Sequence, residues 1–128
     1  MIIEINSQSP QPLYEQLGEQ VIFGIAAGLL QPGEALPSVR RLAADLGINF
    51  HTVNKAYAQL SDAGYIVMDR RRGAVVASEI NSDAEFTAEL AHSLAFNAAK
   101  AICVRISEQD FLALCQESFR QVKGDMPQ

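Results

Sequence analysis

Four side chains in this 128-residue chain are of the types that most often perform covalent or metal chemistry: Cys103, Cys115, His51 and His92. The two cysteines have neither the close pairing of a zinc ribbon nor the density of a disulfide scaffold, and their spacing to the histidines matches no metal-ligand pattern. They read as buried small apolar residues, and His92 reads as a surface residue on an alanine-rich helix. A thiol- or metal-responsive sensor stands as the alternative those four residues leave open. No clustered nucleophile and base and no glycine-rich phosphate loop is present, so no enzyme, metal or cofactor is expected. Two other stretches have side chains suited to recognising a polyanion. Asn49, Phe50, His51, Thr52 and Asn54 form a run able to face base edges: an asparagine amide pairs bidentately with adenine, and a phenylalanine ring can lie against a thymine methyl. Arg70, Arg71, Arg72 and Gly73 form a basic turn suited to phosphates or the minor groove.

The elements that must position these residues follow from the pattern around them. Leu42, Ala43 and Leu46 are the inward positions of one short helix, and Gly47 stops it where a positive φ is needed. Ile48 plugs the corner, and Val53, Ala56, Tyr57 and Leu60 are the inward face of a second helix. Ala43 is small because two steeply crossing helices need a small side chain at closest approach. This is a helix-turn-helix. Asn49 to Thr52 lie at the N-terminus of its second helix, the end that reads the major groove in this motif.

Upstream, Ile3 and Ile5 alternate with polar residues in a short extended segment, and Pro12 suits the first turn of a helix. Leu13, Leu17, Val21, Ile25 and Leu29 recur at helical spacing with Ile22 widening the stripe, while Glu15, Glu19 and Gln20 lie outside it. Gly28 and the turn Gln31 to Glu34 end that helix; Ala35 to Pro37 can form only a very short strand, and Ser38 is a good N-cap. Downstream, Tyr65 to Met68 and Ala74 to Ala77 read as two strands flanking the arginine turn. Helix, helix-turn-helix and β-hairpin in that order make a winged helix, and the arginine tip is its wing.

After a connection at Ser78 to Asp83, a helix from Ala84 to about Ile106 carries Phe86, Leu90, Leu94, Ala98 and Ala101 or Ile102 on one side. Ser107 to Asp110 resembles a capping box, and Phe111, Leu114, Cys115, Phe119 and Val122 form the inward face of a last helix ending at Gly124. Two helices cannot close a core alone. Phe86, Leu90, Leu94, Ile102, Phe111, Leu114 and Phe119, with Leu112 and Val122, therefore need a partner surface, which we expect to be a second copy. The expected fold class is mostly α with a small β-hairpin wing, with a winged helix-turn-helix over residues 1–78 and a two-helix dimerisation tail over residues 79–128.

Charge supports this division. The net formal charge is −5, yet Leu36 to Gly73 holds Arg40, Arg41, Lys55 and the three wing arginines against three aspartates, a net of +3, while both flanks are acidic. All net positive charge thus lies in the expected DNA-binding region. Met1 to Pro10 lacks a basic leader, and the longest apolar run, Val21 to Leu30, falls short of the roughly 20 residues a membrane span needs. A cytoplasmic protein that touches no membrane is expected, with its thiols reduced.

From Pro12 to Val76 the pattern P-L-Y-x-Q, P-G, L-P-S-x-R-x-L-A, L-G, T-V, A-Y, L, G-Y resembles the DNA-binding domain of GntR-family bacterial transcription regulators, and the short tail is similar to that of the YtrA-type subgroup. The resemblance implies a homodimeric regulator, most simply a repressor of a palindromic operator in double-stranded DNA. By position it places DNA contacts at Ser38 and Arg40, at Asn49, Phe50, His51, Thr52 and Asn54, and at Arg70 to Gly73. Two residues depart from the pattern: Phe50 stands where many members have Arg or Pro, and Ala74-Val75 replaces Thr-Phe or Thr-Tyr.

Overall fold

The computed structural model describes residues 3–125. Its elements are α1 (Leu13–Ala26), α2 (Val39–Leu46), α3 (Phe50–Asp62), β1 (Ile66–Asp69), β2 (Gly73–Val76), α4 (Ala84–Cys103) and α5 (Glu108–Arg120), followed by a π-helical turn at Gln121–Asp125. The chain separates into two compact units between Ile80 and Asn81.

In the first unit α1, α2 and β1 all pack on α3, and β2 joins through β1, so α3 is the central element. Leu17 and Val21 of α1, Val53 and Tyr57 of α3, and Ile66 and Val76 of the hairpin are almost wholly buried. Each contributes on the order of 1.5–3 kcal/mol by leaving water. The Tyr57 hydroxyl donates to the Pro37 carbonyl at 2.7 Å, and burial pushes its pKa up to about 12. That bond ties the middle of α3 to the segment entering α2. Gly47 sits at φ 66 behind α2, and the Ile48 N–H behind it bonds the Ala43 carbonyl at 3.0 Å. A side chain at that left-handed position would be strained.

The hairpin pairs β1 and β2 antiparallel with Asp69 opposite Gly73, each strand displaced by one residue from the expected limits. Ala35 adds a single bridge to Val75, the very short strand expected there. The apolar stripe of α1 differs from expectation at its end. Leu29 and Ile22 are exposed and Leu30 is buried instead. The helix stops at Ala26 and the next residues wrap back, with the Leu29 and Leu30 N–H groups both donating to the Gly24 carbonyl. Gly24 lets Leu30 pack closely, since a Cβ there would lie 3.1 Å from its Cδ1, a tight contact that Leu30 would have to yield to.

The extended segment at Ile3 to Asn6 joins no sheet. Gln16, buried on α1, accepts from the Asn6 N–H at 2.7 Å and donates to the Asn6 and Gln11 carbonyls. One turn on, Gln20 accepts from the Glu4 N–H at 2.8 Å and donates to the Glu4 carbonyl. Gln20, expected to face solvent, is therefore half-buried and stands in for a strand's hydrogen-bonding edge.

In the second unit Asp83 caps α4 through the Phe86 N–H, and Ser107 caps α5 through the Asp110 N–H. Helix α4 ends at Cys103 rather than near Ile106. Arg105 takes a left-handed φ of 66, with its N–H on the Ile102 carbonyl and the Ile106 N–H on that of Ala101. Arginine in this cap costs what glycine would not. Arg105→Gly is expected to stabilise the chain by about 0.5–1 kcal/mol, read as a raised midpoint in thermal or urea unfolding; a lowered midpoint would show that the cap is unstrained.

The cysteines are not core residues: Cys103 is exposed and Cys115 half-buried. Cys103 ends its helix, and two helices leave no third layer to cover it. For the same reason Leu114 and Phe119 of the expected inward face are exposed, while Phe111, Cys115 and Val122 are half-buried. The last helix also gives way at Gln121 to a π-helical turn before reaching Gly124.

Candidate nucleic-acid interface

Helix α3 buries Val53, Ala56, Tyr57 and Leu60 and leaves Phe50, His51, Asn54 and Lys55 outside, with Thr52 half-buried between. The side chains assigned to base reading thus share the solvent face because the apolar ones have claimed the other. Asn49 precedes the helix in an extended conformation, and its Oδ1 accepts from the His51 N–H at 2.7 Å. That cap satisfies an orphan donor of the first turn. The cap uses one of the two lone pairs of that oxygen and leaves the other, with the amide N–H groups, outside the bond; Asn54 is exposed on the same helix.

Arg40, the second residue of α2, lies with its guanidinium carbon 5.3 Å from the centroid of the Phe50 ring. The His51 ring meets the same phenyl edge-on, at 5.5 Å between centroids and 79° between planes. Residues from both helices of the motif are thereby gathered into one exposed cluster. Ser38 is occupied locally, its hydroxyl accepting from the Arg41 N–H at 3.1 Å as the α2 cap. Lys55 was not among the residues singled out in the sequence, yet its ammonium sits 4.0 Å from the centroid of Tyr14 on α1. No local signal could have paired residues so far apart in the chain.

The wing tip is organised by Asp69, whose Oδ1 accepts from the Arg71 and Arg72 N–H groups at 2.7 and 3.0 Å. These backbone bonds, helped by the Arg72 guanidinium, hold the Asp69 carboxyl below its ordinary pKa. Arg72 reaches back, 3.7 Å from Asp69 Oδ2 and donating to the Gly33 carbonyl at 3.2 Å. Gly73, at φ 74, turns the chain into β2. Arg70 and Arg71 remain exposed at the tip. The three arginines are therefore not equivalent: Arg72 braces the tip against the turn before α2.

Residues 13–76, the span of this winged helix, match the family described as bacterial regulatory proteins, gntR family. The chain belongs to the gntR family. Over 76 residues it is 40% identical to the HTH-type transcriptional repressor YtrA of Bacillus subtilis, a match covering 59% of this chain and 58% of that repressor. The solved structure of YtrA from Sulfolobus acidocaldarius, a GntR-family transcription factor, is 41% identical, with a TM-score of 0.66 over 78% of this chain and 99% of that one. The DNA-binding domain of AraR, solved in complex with operator ORX1, superimposes with a TM-score of 0.53 at 28% identity, covering 59% of this chain and 96% of that one. This gntR protein is thus a DNA-binding transcriptional regulator of the YtrA type, its partner double-stranded DNA, and its relatives are regulators rather than enzymes.

Among the described residues, no three or more His, Cys, Asp or Glu side chains come together to hold a metal ion. Among the same residues no helix is long and apolar enough to cross a membrane.

Proposed function

We propose that this protein is a cytoplasmic, homodimeric repressor that reads a palindromic operator, with residues 1–78 binding DNA and residues 79–128 joining the two copies. The observation that carries the reading is the apolar surface of the tail. Leu90, Leu94, Ile102, Leu114 and Phe119 are 45–77% exposed. An exposed apolar face of this extent marks an interface. A second copy related by a two-fold axis would cover it with its own equivalent face and present two α3 helices to successive major grooves.

Within each half, Asn54, His51 and Thr52 face base edges, Asn49 donates from its cap, Arg40 and Phe50 act together, and Ser38 holds the start of α2. Arg70 and Arg71 meet the backbone or minor groove, with Arg72 and Gly73 shaping the tip. No catalytic group is assigned. Selection of genomic fragments on the full chain, followed by footprinting and in vitro transcription, tests the reading. The expected result is an inverted repeat with half-sites about one helical turn apart, overlapping a promoter whose transcript falls as protein is added. A single asymmetric half-site, or a transcript that rises, would overturn it.

A further inference from the structure

The cluster of Arg40, Phe50 and His51 assigns a role that the position of Phe50 alone does not. An exposed arginine side chain samples many rotamers, and binding must order it at a cost comparable to the contact it makes. Here the guanidinium lies 5.3 Å from the Phe50 centroid. The ring in turn meets the His51 imidazole near-perpendicularly, with centroids 5.5 Å apart. A guanidinium drawn toward an aromatic ring spends none of its N–H donors on it, so its fork is left for two parallel hydrogen bonds to paired acceptors. Phe50 is 39% exposed and belongs to neither the buried core nor a helix cap.

We propose that Phe50 is a positioning residue, acting through Arg40 rather than on a base, and that the guanidinium so placed takes a pair of acceptors on the operator. The inference rests on the DNA-binding reading above. Paired acceptors are offered both by a phosphate and by the O6 and N7 of guanine.

The test uses the full chain and the operator recovered by selection. Before DNA is added, proton NMR should show the Arg40 side-chain resonances shifted upfield by the Phe50 ring, a shift lost in Phe50→Leu and kept in Phe50→Tyr. Phe50→Leu should weaken binding about two- to fivefold per half-site, Phe50→Tyr should restore it, and Phe50→Leu should add no loss in an Arg40→Ala background. Methylphosphonates at single backbone positions and 7-deazaguanine at single guanines then locate the acceptors, as the substitution whose penalty vanishes in Arg40→Ala. Additive losses from the two substitutions, an unshifted Arg40, or no substitution with a penalty that depends on Arg40 would each overturn the proposal. A chain that shows the ring shift but selects no DNA would overturn the repressor reading instead.

Discussion

A chain cut after Ser78 is expected to be a folded monomer that binds the operator on the order of 10²–10³-fold more weakly than the full chain, itself a dimer at micromolar concentration. The folding half of this expectation follows from where burial lies. Among the described residues, every buried hydrophobic one except Ala101 precedes Ser78. The core that holds α3 is built from residues of the first unit. The affinity half follows from tethering: a second winged helix already near its half-site binds at an effective concentration far above that of free protein. The tail has the apolar surface to hold such a pair, with Phe119 77% and Ile102 73% exposed. Phe96 and Val104, exposed to 61% and 70%, extend that surface beyond the residues the sequence pointed to. Light scattering of both chains and fluorescence titration of operator DNA check this. A monomeric full chain, or a truncated chain with undiminished affinity, would defeat the arrangement.

Replacing Arg70 and Arg71 together by Ala is expected to flatten the dependence of affinity on salt. Each lost phosphate contact removes about 0.9 from the log–log slope, so four contacts in a two-fold complex amount to about 3.6. Arg72→Ala should change the slope much less, because that side chain is spent on the Gly33 carbonyl and Asp69. Its loss should instead loosen the tip, seen as faster amide exchange at residues 70–73. Titrations at several salt concentrations decide the matter. A double variant with an unaltered slope would place the wing away from the DNA, and an Arg72→Ala slope change as large as that of Arg71→Ala would reverse their assigned roles.

The helix-turn-helix was legible because its determinants are local: Ser38 caps, Gly47 takes the left-handed turn, and the apolar period separates the buried from the exposed face of α3. Such signals act within one or two helical turns, so neighbouring residues suffice to read them. The cluster of charge around the wing was legible for a similar reason, since three adjacent arginines repel one another and need a solvated tip. What lay beyond the sequence was every pairing across elements. Gln20 was placed outside the apolar stripe and Gln16 drew no notice, but backbone groups at Glu4 and Asn6 needed partners and drew both in. Leu29 and Leu30 were equally apolar, and only the wrap over Gly24 chose between them. Arg70, Arg71 and Arg72 are chemically identical in the sequence, and the Gly33 carbonyl set one apart. Phe50 departed from its family's pattern for no visible reason until α2 laid Arg40 against its ring. Composition and period decide which elements form and which face each one buries; which side chains meet is decided only when elements distant in the chain are packed together.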